Sequence, residues 1–431
     1  MRMPSRQTIA AAHWEQKTQI QRTRTSRNKF PIRAISSEID VESRVPQIAT
    51  GLPGVGKTTL CLKALEAKRV PFVFLDFSDK RLAGLRASQS DTLYRILLSY
   101  NRPFSHMLIR ELTQAEHWEE LLAEFLKARI RVIATSSKAL KTESFEGPIH
   151  EVRLAPLSFR EVCERKDIPI DETSPEAEAK RRAAFKSYLE RGGLPPLQKN
   201  SKTQAAIRTI HNAVLDMNAE GLKNEKLELF YAASLHCLDV APAPGAECLS
   251  AMTQEGVITA RTASNYVERL KDGFLLQGLA KYGVAPELLE TSERLYPADT
   301  AFLALRDTCD AKKLHEDALE IAVFQHLSQL CNKPGLSLQH FADGSQMCGI
   351  IVRNGEEAKA VIQCAYDIGT PEAKDSALQG LLKAAKGTGA KRPLLLTDRE
   401  DAVEEIEGVR IEIRPAHEWL LDETAFASLV E

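Results

Sequence analysis

The sequence predicts an α/β protein, with a parallel sheet carrying a phosphate-binding loop, a helical region after it, and a second, smaller α/β unit at the end. Two observations lead there. Between about Arg44 and Leu154, short apolar β-type runs (VPQIAT, VPFVFLDF, HMLI, IRVIAT, IHEVRL) alternate with helical patterns such as Lys57 to Ala67 and Ala115 to Lys127. That alternation implies parallel strands with helices on both faces. Within it, GLPGVGKT (Gly51 to Thr58) fits G-x-x-x-x-G-K-[ST] at a junction where a β-type run ends at Thr50 and a helical pattern starts at Lys57.

The remaining elements follow in order. An acid-rich helical stretch, Asp171 to Glu190, stops at Gly192-Gly193 and Pro195-Pro196, a break that marks the end of the first domain. Residues 201–290 read as mostly helical, with APAPG (Ala241 to Gly245) as a loop. From His315 come a helix, short strands (GIIVR, AKAVIQCA), a helix over Asp375 to Ala385, and further strands (PLLLT, VRIEIR). The expected divisions are a flexible basic tail (1–35), the loop-bearing domain with a helical lid (36–200), a helical domain (201–310) and the last α/β domain (311–431).

At 431 residues the chain is long enough for two to four domains. A net charge of -2 excludes a global attraction to nucleic acid and leaves only local patches. Met1 to Arg33 is such a patch, with Arg2, Arg6, Lys17, Arg22, Arg24, Arg27, Lys29 and Arg33 against Glu15. It reads as a flexible basic tail, a transit peptide being the alternative. No apolar run is as long as a membrane span, so a soluble chain without a membrane partner is expected. The eight cysteines show no CxxC spacing, and buried thiols in a reducing cytoplasm explain them better than disulfides or zinc.

The loop carries the chemistry. Glycines let its N–H groups turn toward phosphates, and the helix N-terminus adds positive potential. Gly51, Pro53, Gly54, Val55, Gly56, Lys57, Thr58 and Thr59 are the candidate ATP contacts. Lys57 would reach the β- and γ-phosphates, and the Thr58 hydroxyl would join a Mg²⁺ shell. Hydrolysis also needs a metal-holding carboxylate, a water-orienting residue and a cation. Asp76 ends the apolar run FVFLD, but that strand directly follows the loop's helix. In P-loop sheets the metal strand is usually a later one, expected beside the loop strand. The later run, HMLIRELTQAEHW (His106 to Trp118), places Arg110 and Glu111 there.

The motif order resembles prokaryotic AAA-type ATPases that join a P-loop domain to a winged-helix region and a C-terminal domain similar to PD-(D/E)XK nucleases. The landmarks are the loop, FVFLDFSDKRLAGL, HMLIRELTQAEHWEELL, RVIATSSKALK, RLAPLSFREV, YLERGGLP and RLYPADTAFL. PLSFRE and GGLP are the most specific to the family. The resemblance implies that the magnesium Asp falls on Arg110 and the catalytic Glu on Glu111. Thr135 and Ser137 fall on the sensor strand end. Where relatives carry Gly-Arg, a candidate arginine finger, this chain has Gly147-Pro148. A guanidinium at a magnesium position would repel the ion and instead neutralise a phosphate or pair with Glu111.

MTQEGVITARTASNYVERLKDGFLLQGLAKYG (Met252 to Gly283) looks like a winged helix-turn-helix, with Tyr266, Val267 and Leu270 on the buried side of a helix starting near Thr259. Arg261, Asn265 and Arg269 are the candidate DNA contacts. In the last domain, nuclease relatives imply Glu-x-Asp on one strand and Glu-x-Lys on the next. Here those positions hold Met347 and Gly349, then Gln363 and Ala365, with Glu320 the surviving acid. One acid is insufficient for metal-dependent hydrolysis, so a fold without nuclease activity is expected. The sequence thus points to an ATP-binding protein with weak or absent hydrolysis, whose nucleotide state controls the later domains. The alternatives are a DNA-binding or scaffolding regulator with a relic loop, and an active ATPase with a relocated metal ligand. Oligomeric state is left open.

Overall fold

The apolar runs of the first third become strands because both their faces are covered, which is how parallel sheets read in sequence. In the computed structural model, which describes residues 3–27, 33–101, 103–143, 145–198, 203–254, 256–284, 292–307, 310–344 and 346–430, they are β1 (Gln47–Thr50), β2 (Phe72–Asp76), β3 (His106–Arg110), β4 (Arg131–Ser136) and β5 (His150–Arg153). All pair in parallel in the order β2-β3-β4-β1-β5. Ile48, Leu75, Met107, Ile109 and Val132 share a core with Leu121, Leu122 and Phe125 of the helix Trp118–Lys127. The metal strand was expected beside the loop strand; instead β4 lies between β1 and β3.

The N-terminal segment departs from the flexible tail expected over residues 1–35. Arg6–Arg27 is a helix, α1, with Ile9, Ala12, His13, Gln16 and Ile20 buried. Those positions recur at helical spacing, and the polar members of the stripe find partners. The Gln16 amide donates to the Asp76 carbonyl at 3.0 Å and accepts from the Asp76 N–H at 3.0 Å. His13 Nε2 lies 2.9 Å from the Asn101 side-chain amide. Since β2 is an edge strand, α1 covers an edge that would otherwise leave backbone groups unpaired. Lys29 and Arg2 lie outside the described residues.

The chain divides into two compact units, Met1–Leu154 with 216–218 and 272–274, and the remainder. The division falls after Leu154, not near residue 200 as expected. Helices Phe159–Arg165 and Pro175–Arg191 bury Phe159, Val162, Phe185 and Tyr188 in one core with Phe324, Ile362 and Trp419. Residues 201–310 and 311–431, expected as separate domains, fall largely in this same unit.

Three of the landmark motifs meet here. The Leu157 N–H donates to the Gly193 carbonyl at 2.9 Å, the Tyr188 hydroxyl donates to the Leu157 carbonyl at 3.1 Å, and the Gly193 N–H donates to Asp299 Oδ2 at 2.8 Å. A Cβ on Gly193 would lie 2.1 Å from the Leu157 oxygen, and one on Gly192, where φ is +69°, would meet the Asp299 carboxylate. PLSF, GGLP and PADT therefore specify a packed junction in which only glycine fits. Burial pushes Asp299 up to about 7, opposed by the N–H groups of Ala301 and Gly193.

Further along, the helices Gly245–Thr253 and Ala260–Asp272 lie in the chain between the first strand (243–244) and the other two (276–279 and 294–297) of a small antiparallel sheet. Tyr266, Val267 and Leu270 are buried as expected. Arg261 and Asn265 are exposed and Arg269 half-buried on the other side of that helix. The last region is a six-stranded mixed sheet with helices Ala311–Leu330 and Pro371–Thr388. Its strands Leu336–Asp343 and Ala402–Ile406 have no counterpart in the sequence reading, being short of apolar residues. Among the described residues no helix is long and apolar enough to cross a membrane. Cys61, Cys163, Cys237, Cys248 and Cys348 are buried and form no disulfide.

Candidate functional site

Gly51, Gly54 and Gly56 have φ of +135°, +83° and +108°, angles that side chains rarely adopt. Gly51 has a second constraint, because a Cβ there would lie 2.3 Å from the Leu154 oxygen, whereas one on Gly56 would meet nothing within 4 Å. The loop then enters helix α2 (Lys57–Ala67) with Lys57 as its first residue. Val55 is buried inside the loop, while Pro53, Thr58 and Thr59 are half-buried and Gly54 exposed.

Lys57 is 5% exposed. Its ammonium donates to the carbonyls of Gly51 (2.7 Å) and Leu52 (2.9 Å) and to Ser137 Oγ (2.7 Å). It lies 3.9 Å from Glu111 Oε1. Burial lowers Lys57 to about 8; Glu111 opposes that and Arg110 adds to it.

Glu111 follows the last residue of β3 with φ +51° and ψ +53°, a left-handed conformation that costs a non-glycine residue about 1–2 kcal/mol. Its hydrogen bonds hold it there. The backbone N–H donates to Thr135 Oγ1 at 3.1 Å, and the carboxylate accepts from the Ser137 N–H at 2.7 Å and the Ser137 hydroxyl at 2.8 Å. Ser137 therefore joins Lys57 to Glu111, and Thr135 fixes the glutamate's backbone.

Arg110 and Asp76 are register partners on β3 and β2, and their side chains pair at 3.1 Å. The other Asp76 oxygen accepts from the Ser78 N–H (2.9 Å) and hydroxyl (2.6 Å). Both carboxylate oxygens of Asp76 are engaged. Arg110 was expected to pair with Glu111; strand register instead sets it beside Asp76, and Glu111 is held by Ser137. Sequence reasoning did not find Ser78. It also missed the Thr50 hydroxyl's bond to Glu151 at 2.6 Å.

In the second unit, Glu320, Met347, Gly349 and Gln363 converge on one small cavity of about 80 Å³. These are the positions matched to nuclease carboxylates and the surviving acid. Glu320 is bound by Arg294 (2.7 and 3.0 Å) and by the Tyr296 hydroxyl (2.6 Å).

A family model described as an AAA domain matches residues 43–163. No curated protein matches the chain in sequence. Among solved structures, the Thermotoga maritima RuvB Holliday junction branch migration motor is similar at 15% identity, covering 56% of this chain and 85% of that one, with a TM-score of 0.27. A signal transduction ATPase with numerous domains, bearing a tetratricopeptide repeat sensor, from Pyrococcus horikoshii is similar at 14% identity, covering 71% of this chain and 46% of that one, with a TM-score of 0.28. The matched segment holds the glycine loop, its helix and the five parallel strands, so residues 43–163 form an AAA-type P-loop ATPase-like domain.

Proposed function

We propose that the chain binds ATP at Gly51 to Thr59 and hydrolyses it slowly or not at all, its nucleotide state controlling the winged-helix and C-terminal regions. The observation that carries this reading is the Arg110–Asp76 pair at the strand ends, 3.1 Å apart. By the resemblance the magnesium Asp falls on this guanidinium, and the nearby acid that could take its place is already neutralised by it. Phosphate binding keeps its main cation in Lys57, and Thr58 remains the hydroxyl for any Mg²⁺ that enters with the nucleotide. Glu111 is the catalytic candidate, with Ser137 and Thr135 as the polar groups of the sensor strand end.

The test is Mg²⁺-dependent ATP turnover of the wild type beside Arg110→Asp. That substitution replaces the cation with a carboxylate and releases Asp76. A gain of turnover in the variant supports the reading; turnover typical of active ATPases in the wild type, abolished by Lys57→Ala, overturns it.

A second reading draws on the helix Ala260–Asp272, where exposed Arg261 and Asn265 share a face with Arg269 at i, i+4, i+8 spacing. In it the chain is a DNA-binding or scaffolding regulator and the loop is a relic; failure to bind an ATP analogue would favour it. In a third reading Asp76 serves as the relocated metal ligand of an active ATPase. Comparing Asp76→Ala with Glu111→Gln in ATP turnover separates it from the first. Nuclease activity is not expected, since Met347, Gly349, Gln363 and Ala365 supply neither the carboxylates nor the lysine that metal-dependent hydrolysis needs, and Glu320 is held by Arg294.

A further inference from the structure

The second unit contains a buried histidine with no hydrogen bond. His417, in the short helix Ala416–Trp419, is fully buried, and neither Nδ1 nor Nε2 has a hydrogen-bond partner. Buried polar atoms are nearly always paired, so an imidazole with both nitrogens unsatisfied calls for an explanation. Its surroundings supply one. One ligand atom each from Glu178, His417 and Glu418 lie within 4.8 Å of one another, and His417 Nε2 is 3.8 Å from Glu418 Oε1. Glu178 comes from the first turn of the helix Pro175–Arg191, far away in sequence.

We propose that Glu178, His417 and Glu418 form a binding site for one divalent transition-metal ion of the zinc type.

The donor set selects this chemistry. One imidazole nitrogen and two carboxylate oxygens suit Zn²⁺ and its neighbours, whereas Mg²⁺ and Ca²⁺ prefer oxygen alone. The imidazole is fully buried with both ring nitrogens unpaired, so a ring nitrogen is available to a metal. His417 Nε2 makes no hydrogen bond to Glu418, whose nearest oxygen is 3.8 Å away. Entry is open, since the Glu178 and Glu418 side chains are 39% and 41% exposed. Arg182 holds Glu178 at 2.6 Å and would give way to the ion. Arg181 is committed elsewhere, donating to the carbonyls of Pro169 and Glu172. A bound ion would tie the helix Pro175–Arg191 to the helix Ala416–Trp419, which raises stability by linkage.

The test is Zn²⁺ titration of the full chain after chelation, with excess Mg²⁺ present, followed by calorimetry and by thermal denaturation. One zinc per chain is expected, with a rise in melting temperature. In the Glu178→Gln/Glu418→Gln variant, whose changes lie at part-exposed positions, affinity should fall by about tenfold or more. Equal zinc affinity in variant and wild type, or no stoichiometric uptake by the wild type, overturns the site. Zinc-edge X-ray absorption on the wild type needs no variant. A shell of one imidazole with carboxylate oxygens at about 2.0–2.2 Å is expected, and a shell containing sulfur or several imidazoles overturns it.

Discussion

If Lys57 is the phosphate-binding cation, nucleotide affinity must fall as pH rises through its titration. Burial brings Lys57 to about 8 in the free protein, from an ordinary 10.5. A polyphosphate beside the ammonium favours the charged form, so the bound state keeps the proton to higher pH than the free state does. Above pH 8, binding therefore takes up a proton, and each further pH unit weakens affinity about tenfold, ~1.4 kcal/mol. Between pH 7 and 9.5 the dissociation constant should rise about 30-fold. Cys61, the nearest thiol, is pushed up to about 12 by burial and is silent in this window. The assay is titration with a fluorescent ATP analogue at constant ionic strength. Lys57→Arg, whose guanidinium stays charged, should show a flat profile. A flat wild-type profile, with binding nevertheless abolished by Lys57→Ala, would refute the reasoning. The same shift acts on stability. The unfolded chain holds this proton more tightly, so a penalty of about 3 kcal/mol is complete below pH 8 and is relieved as pH rises toward 10.5.

Other perturbations test the scaffold. Gln16→Leu removes both bonds to the Asp76 backbone and should cost about 2 kcal/mol, or about 4–8 °C in the melting of the first unit; a change under about 1 °C would contradict the edge-covering role of α1. Gly51→Ala meets the Leu154 oxygen while Gly56→Ala meets open space, so Gly51→Ala should lose more stability and more ATP-analogue affinity; the reverse order would show that backbone angle alone decides. Asp299 is raised to about 7, so the folded state binds its proton more tightly than the unfolded chain and stability falls as pH rises from about 4 to 7, by about 4 kcal/mol. Asp299→Asn should lack that fall, and identical pH profiles of the two melting curves would exclude it.

The loop and its sheet were legible because their signals are local: GLPGVGKT between an apolar run and a helical pattern, and strands apolar enough to be covered on both faces. Helix α1 was hidden because its inward stripe includes His13 and Gln16, whose bonding partners are supplied by β2 and Asn101, while its basic content suggested a tail. The Arg110–Asp76 pair depends on the register of β3 against β2, and the Lys57–Ser137–Glu111 hub depends on a left-handed glutamate and on β4 lying between β1 and β3. None of these follows from spacing along the chain. The GGLP and PADT motifs were visible as patterns, yet their meaning emerged only when Gly193 and Asp299 met across 106 positions.

The most direct measurement is the affinity of a fluorescent ATP analogue with and without Mg²⁺, for the wild type and for Lys57→Ala. On the proposal that Arg110, paired with Asp76, replaces the magnesium ligand, the wild type should bind the analogue with nearly the same affinity in both conditions, and Lys57→Ala should lose binding in both. Wild-type affinity that depends strongly on Mg²⁺ would contradict the account, and so would no binding at all.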